Sequence, residues 1–224
     1  MDALIKIEDI RKHYIIWDET LDVLRWISLE VHKWEFVSIM WQSWSWKSTL
    51  MNIIWMLDVP SSWRYFFNWK DVSTVSDDDQ ALLRRRNIWF IFQNYNLLPR
   101  TTAINQVMLP LIYQWVPEKE RKRRAYEALV KVWLKDKVDA FPSEMSGWQQ
   151  QRVAVARAIV TDPLLILWDE PTWALDSKTW RDVMELISML NDEWRTIIII
   201  THSPEVNEFA KRHIFVKDWL VLKN

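Results

Sequence analysis

Two adjacent carboxylates follow an apolar segment late in the chain. Leu164–Leu167 is predicted to be a buried strand, and Asp169 and Glu170 stand just beyond it. In open α/β sheets, ligands bind at the carboxyl ends of the strands. There Asp169 could hold Mg²⁺, directly or through water, while Glu170 orients or deprotonates a water molecule. Taken alone, the same pair is explained equally well as a solvated acidic turn.

A lysine and two hydroxyl residues follow a second apolar segment, Phe36–Met40. If the three tryptophans around them were glycines, residues 41–49 would read G-x-x-G-x-G-K-S-T, the P-loop. In that motif backbone N–H groups and the lysine hold phosphates, and the serine hydroxyl binds Mg²⁺. As written, a helix start capped by serine or threonine is the favoured interpretation. The stretch comprises Trp41, Gln42, Ser43, Trp44, Ser45, Trp46, Lys47, Ser48 and Thr49.

Two other positions have anion-binding chemistry. Ser146 and Gly147 open a helix rich in alanine and valine. Its first N–H groups would attract an anion, although an ordinary helix cap is the alternative. His202 follows Thr196–Thr201, a strand predicted to be central. A lone histidine is more often structural, so its place at a strand end is what makes it a candidate.

The elements that must position these residues alternate between strand and helix. Continuous apolar strands separated by helices predict an α/β fold with a parallel sheet covered on both faces. Shorter alternating segments predict an antiparallel side sheet. The predicted central strands are Phe36–Met40, Ile88–Phe92, Leu164–Leu167 and Thr196–Thr201; the helices are 47–57, 117–132, 149–161 and 177–191; the side-sheet strands are Ile5–Ile7, Val23–Val31 and Arg64–Phe67.

In order and spacing, these motifs resemble the ABC transporter nucleotide-binding domain over nearly the whole chain. The resemblance implies one α/β domain: a P-loop NTPase (RecA-like) core with a mostly parallel sheet, an antiparallel β side sheet and a helical lobe. The core and side sheet would be residues 1–93 and 158–224, and the lobe residues 94–157. Residues 94–99, 107–111 and 169–179 look like the MacB/LolD branch, whose members power export of macrolides or peptides, or lipoprotein release. The cell-division ATPase FtsE is a close relative.

The resemblance also implies roles for individual residues, with ATP and Mg²⁺ as cofactors. Catalysis would fall to Glu170, acting on water, assisted by Lys47, Gln93 and His202. Magnesium would be held through Ser48, Gln93 and Asp169. The nucleotide would contact Tyr14 at the adenine, residues 41–49 at the phosphates, and, across a homodimer interface, Ser146, Gly147, Trp148, Gln149 and Asp176.

Charge and composition restrict the partners. The formal net charge is −1, so the chain offers no general electrostatic reason to bind nucleic acid. The basic runs at 84–86 and 119–124 are predicted to be solvated helix faces. There is no cysteine, which fits a reducing compartment. With neither a signal peptide nor an apolar run of about 20 residues, we expect a cytoplasmic protein that docks on integral membrane permease subunits.

Tryptophan and glycine contents are both abnormal. The chain has 18 tryptophans and one glycine, whereas about 7% glycine is usual. Each tryptophan falls where the resembled family has or accepts glycine, as at Trp34, Trp69 and Trp194, although alanine is usual at Trp168. We hypothesise a decoding error: UGA means tryptophan in one variant code and glycine in another, and Gly147 would use an ordinary glycine codon. Deliberate substitution is the rival hypothesis.

Two other functions compete with the transporter ATPase. DNA-maintenance ATPases of the SMC or Rad50 kind share these motifs. In those proteins a long coiled coil separates the P-loop from the motif that corresponds to Ser146-Gly147 here. Here that interval shows no sustained heptads. A non-enzyme binding or regulatory subunit is the second alternative. It follows if the tryptophans are real, because indoles at 41, 44 and 46 would occupy the phosphate space.

Overall fold

The computed structural model describes residues 3–17, 19–41, 47–93, 95–170, 179–217 and 220–222. Its strands are β1 (Ala3–Ile16), β2 (Glu19–His32), β3 (Phe36–Trp41), β4 (Ser62–Phe67), β5 (Lys70–Asp71), β6 (Ile88–Ile91), β7 (Leu165–Asp169), β8 (Thr196–Thr201), β9 (Arg212–Lys217) and β10 (Leu220–Leu222). Its helices are α1 (Lys47–Ile54), α2 (Asp77–Asn87), α3 (Ala103–Tyr113), α4 (Glu118–Lys131), α5 (Gly147–Ile159), α6 (Thr179–Asp192) and α7 (Pro204–Asn207). No helix in these ranges is long and apolar enough to cross a membrane.

A six-stranded sheet, in the order β10-β9-β3-β8-β7-β6, forms the centre of the fold. Strands β9, β3, β8, β7 and β6 are parallel, and only β10 joins antiparallel. Each of the four predicted central strands is present in this sheet. Because these strands are buried on both faces, they carry continuous apolar runs instead of an alternating pattern. The expected mostly parallel sheet is confirmed.

The core lies on both faces of this sheet, and successive residues of β7 show the division. Leu165 and Leu167 pack in a cluster with α1 and the N-terminal strands. Ile166 and Trp168 point the other way, into a cluster formed with α3 to α6. This is the two-residue alternation of a strand, with an apolar layer on each side. Residues at the end of β7 are therefore held between two packed layers.

The predicted antiparallel side sheet is also present, as four strands in the order β2-β1-β4-β5. Strand β1 pairs with β2 on one side and with β4 on the other. The three alternating segments foreseen in the sequence lie within β1, β2 and β4. Their pattern of buried and exposed positions is typical of a sheet with one face on the core.

Some helix boundaries differ from the predictions. The prediction for α1 extended to Leu57, but the helix ends at Ile54. Met56 has a φ of 56°, and its N–H and that of Leu57 bond back to the carbonyls of Ile53 and Asn52. This is a left-handed helix end of the Schellman type, a geometry normally taken by glycine. Because methionine is not typical of this position, the sequence did not predict that the helix ends here.

The basic runs are only partly the solvated faces that were expected. Arg84 donates a hydrogen bond to the Met56 carbonyl at 2.5 Å, and Arg124 donates one to the Val160 carbonyl at 2.8 Å. Arg85 bonds to the carbonyl of Tyr113 at 3.2 Å. These side chains therefore tie α2 and α4 to neighbouring elements. Arg123 does remain on a solvated face, paired with Glu120 and Glu127.

Within the described ranges, eight tryptophans have positive backbone φ angles. At Asn68-Trp69, both φ values are positive (45° and 71°) between the paired residues Phe67 and Lys70, which is the type I′ hairpin turn that favours Asn-Gly. Trp115 and Trp133 occupy the left-handed position that follows α3 and α4. All eight are at least half exposed: Trp17, Trp26, Trp34, Trp63, Trp69, Trp115, Trp133 and Trp194.

Candidate functional site

The carboxyl edge of the parallel sheet gathers four of the predicted residues. Strands β3 and β7 flank β8, so the residues that follow or end these three strands converge at one edge. Lys47, at the start of α1, places its Nζ atom 2.5 Å from Asp169 Oδ1 and 3.8 Å from Glu170 Oε1. The lysine side chain is almost fully enclosed. Its ammonium group lies beside two carboxylates, in a position where it could also bind an incoming phosphate.

Glu170 is held rigidly at this edge. Its Oε1 lies 2.5 Å from His202 Nδ1, and its Oε2 accepts a hydrogen bond from Thr201 Oγ1 at 3.1 Å. Its backbone N–H bonds to the Ile200 carbonyl at 2.9 Å. The side chain is 3% exposed and the φ angle is 45°, an unfavourable backbone conformation of the kind found at functional sites. Both carboxylate oxygens therefore have fixed directions.

Burial raises the pKa of Asp169 above its ordinary value. The Lys47 ammonium lowers it, and the neighbouring Glu170 carboxylate raises it further, with a net upward shift. The carboxylate is therefore held at an electrostatic cost that a divalent cation would reduce. Asp169 and the exposed hydroxyl of Ser48 are oxygen donors, the kind that Mg²⁺ prefers. In its donor chemistry the site fits a magnesium ion with phosphate oxygens.

Gln93 lies two residues beyond β6, whose Ile91 pairs with Trp168 of β7. Extending that register places Gln93 at the same edge as Glu170. Tyr14 lies on β1, with its ring partly exposed. Its hydroxyl donates a hydrogen bond to Asp58 Oδ2 at 2.9 Å and also interacts with the Thr49 side chain on α1. Burial raises the pKa of Tyr14; the bond with Thr49 lowers that pKa and the bond with Asp58 raises it again, with a net upward shift.

The residues predicted to contact the nucleotide across a homodimer interface, Ser146 to Gln149, form a separate group at the start of α5. Ser146 caps the helix: its Oγ accepts a bond from the Gln149 N–H, while the Gln149 side chain bonds back to the Ser146 N–H. A Cβ on Gly147 would lie 3.0 Å from the Tyr95 hydroxyl, so the position favours glycine. Trp148 lies under the Arg152 guanidinium, 3.6 Å from the ring centroid. Helix α5 packs against α3, α4, α6 and β6.

Several predicted residues lie outside the described part of the chain. They are Gln42, Ser43, Trp44, Ser45, Trp46 and Asp176, and for Trp41 only the backbone is described. Three residues that contact the site had not been singled out. Thr201 directly precedes His202 in the sequence, so its position near the site could have been predicted. Lys12 and Asp58 are 46 positions apart, and no local pattern connects them.

Comparisons with known proteins agree with this geometry. Residues 24–173 match the family model described as ABC transporter. YknY of Bacillus subtilis, an uncharacterized ABC transporter ATP-binding protein, is 48% identical over 96% of this chain and 94% of its own length. The macrolide export ATP-binding/permease protein MacB of Brucella melitensis is 46% identical over 99% of this chain. This chain spans only 34% of that MacB.

A solved structure extends the similarity to three dimensions. The dimeric, post-hydrolysis structure of the ATP-binding cassette MJ0796, bound to ADP and Pi, superposes with a TM-score of 0.86 at 39% identity. The match covers 98% of this chain and 97% of that one, including the α/β core and the antiparallel sheet. With the family model and these relatives, the similarity shows that the chain belongs to the ABC transporter family, among its ATP-binding proteins.

Proposed function

We propose that this chain binds and hydrolyses ATP to drive a transporter of the MacB/LolD type, in export or in lipoprotein release. The observation that carries the proposal is the cluster of Lys47, Asp169, Glu170 and His202 at one edge of the parallel sheet. It combines a cation for phosphate, a carboxylate for magnesium and a buried carboxylate for water. The MacB relatives support the choice of branch.

Each residue of the cluster has a distinct task. Lys47 binds phosphate oxygens and offsets their charge. Asp169 and Ser48, together with Gln93, would hold Mg²⁺, which when bound neutralises charge on the phosphates. Glu170 accepts hydrogen bonds from the attacking water because Thr201 and His202 fix its carboxylate. His202 is half exposed, so its ring can also contact the terminal phosphate. This is catalysis by position and electrostatics.

The proposed assembly is a head-to-tail homodimer docked on permease subunits at the inner face of the cell membrane. Ser146 caps the start of α5, a helix that packs against α3, α4, α6 and β6, and a second copy would present this helix start to the nucleotide. Tyr14, residues 41–49 and Asp176 would complete the nucleotide contacts. The dimeric form of MJ0796 supports this arrangement.

We further propose that the native chain carries glycine at the tryptophan positions. Eight tryptophans with positive φ support this, because a side chain in that region costs about 1–2 kcal/mol. The turn types agree: a type I′ turn at Trp69 and left-handed helix ends at Trp115 and Trp133. Translation of a UGA-glycine gene under the tryptophan code would produce this sequence. Deliberate substitution would show UGG codons at those positions.

The peptide mass across residues 37–84, in protein from its native cell, tests the glycine proposal. That stretch has tryptophan at 41, 44, 46, 55, 63 and 69. Glycine at all six would lower the mass by about 0.8 kDa, one indole side chain per site. The lighter mass would leave the P-loop intact. The heavier mass would remove the catalytic proposal and favour the non-enzyme subunit.

ATP turnover by the native chain tests the enzymatic proposal. Glu170→Gln keeps the shape of the side chain but removes the charge that acts on water, so we expect ATP binding to persist and hydrolysis to fall at least about 100-fold. Glu205→Gln is the matched control, since Glu205 is exposed on α7 close to His202. Equal turnover in both variants would contradict the role of Glu170.

A further inference from the structure

A buried lysine and an aspartate meet the hydroxyl of Tyr14 next to the candidate nucleotide site. Lys12 Nζ lies 2.6 Å from Asp58 Oδ1 and donates a second bond to the Val59 carbonyl at 2.9 Å. The other oxygen of Asp58 accepts the bond from Tyr14 at 2.9 Å. Lys12 is only 9% exposed. Asp58 thus joins β1 to the segment that follows α1.

The opposite charges of Lys12 and Asp58 compensate each other. Burial by itself would raise the pKa of Asp58, but the bonds from Lys12 and Tyr14 outweigh it and hold the pKa below its ordinary value. The carboxylate therefore stays ionised at neutral pH. The Asp58 side chain is fixed by a further bond, because its Oδ1 also accepts one from the Val59 N–H at 2.8 Å.

The Tyr14 ring, in contrast, is partly exposed. Its hydroxyl is tethered to Asp58 and to Thr49, while the ring is 37% exposed. Lys12 Nζ lies 5.1 Å from the ring centroid, within cation–π range. A partly exposed aromatic ring with its polar end fixed suits stacking on the flat ring of a nucleotide base. Two tethers in different segments set the angle of that ring.

We infer that Asp58 is a positioning residue for nucleotide-base recognition: it orients the Tyr14 ring and couples that ring to helix α1, which starts with Lys47. The inference rests on the proposed ATP binding. It assigns Asp58 no contact with the nucleotide. Loss of the Asp58 carboxylate should therefore weaken recognition of the base and leave recognition of the phosphates unchanged.

The test uses the full chain, with glycine or tryptophan at the tryptophan positions according to the peptide mass. Dissociation constants are measured for ATP and for inorganic tripolyphosphate, which lacks the base, in the parent, Asp58→Asn, Tyr14→Phe and the double variant. We expect each single variant to weaken ATP binding about fivefold, the worth of one hydrogen bond. The double variant should bind ATP no more weakly than the singles, and all four should bind tripolyphosphate equally. Asp22→Asn, on the partner strand β2, is the control and should change neither constant.

Three outcomes would overturn the inference. Asp58→Asn could leave ATP affinity unchanged, or weaken tripolyphosphate binding equally, or weaken ATP binding further in the Tyr14→Phe background. Tyr14→Phe keeps the Lys12–Asp58 pair, so it tests the hydroxyl tether even if Asp58→Asn fails to fold. A parent chain that binds neither ligand refutes the proposed function, and a parent that binds both with unchanged variants refutes only this inference.

Discussion

Replacing Trp115 with glycine should stabilise the chain as it is written. Trp115 follows α3, with a φ of 60° and a side chain that is 85% exposed. Its N–H bonds to the Ile112 carbonyl, and the Val116 N–H bonds to the Leu111 carbonyl. These two bonds define the Schellman helix end, whose left-handed residue is usually glycine. The bonds are made by the backbone, so glycine would keep both.

The size of the effect follows from two opposing terms. Removing a side chain from the left-handed region gains about 1–2 kcal/mol. Glycine also costs about 0.5–1 kcal/mol, because it has more conformational freedom to lose on folding. The exposed indole contributes little burial. The expected net gain is about 1 kcal/mol, equivalent to about 2–4 °C in Tm for a domain of this size.

Urea and thermal unfolding, followed by circular dichroism, measure the gain. Trp115→Ala separates the causes, since it removes the indole but keeps a Cβ at positive φ, and we expect stability close to the parent. Tyr113→Gly is the matched control: an exposed aromatic residue two positions earlier, inside α3. It should lose about 0.5 kcal/mol, the helix-propensity difference. A Trp115→Gly chain no more stable than the parent, or one matched by Trp115→Ala, refutes the reasoning.

Three further predictions follow from buried polar groups. Asp169→Asn should raise Tm of the nucleotide-free protein, since the cost of burying the carboxylate outweighs its bond with Lys47; a lower Tm in calorimetry would contradict this. Trp168→Phe should stabilise by about 1 kcal/mol, because the fully buried indole N–H has no hydrogen-bond partner among the described residues; a loss in urea unfolding would argue against it. The Asp58 pKa is lowered in the folded state, so its contribution is present above the unfolded pKa of about 3.9 and is lost at lower pH. The stability difference between parent and Asp58→Asn should therefore shrink below about pH 4, and a constant difference from pH 7 to pH 3 would be inconsistent with the shift.

Much of the fold could be predicted from local patterns. The strand Thr196–Thr201 was foreseen with the bounds that the structure shows, because a run of β-branched residues is apolar on both faces. Trp69 was singled out as a position where the resembled family has or accepts glycine, and the structure gives it a positive φ of 71°. Helix α2 was not singled out, although Ser76 caps it and acidic and basic residues mark its two ends. Its apolar residues are few, so the hydrophobic pattern was weak.

The chain order of Lys47, Asp169, Glu170 and His202, and their positions after apolar strands, are properties of the sequence. Strand direction alone then brings them to one edge, since parallel strands share their carboxyl ends. The tertiary structure decided the rest: that Thr201 and His202 hold the two oxygens of Glu170, and that Asp58 joins Lys12 to Tyr14. These contacts join residues more than 30 positions apart. Hydrogen bonds of about 3 Å depend on how whole layers pack, and that distance is not encoded in any local spacing.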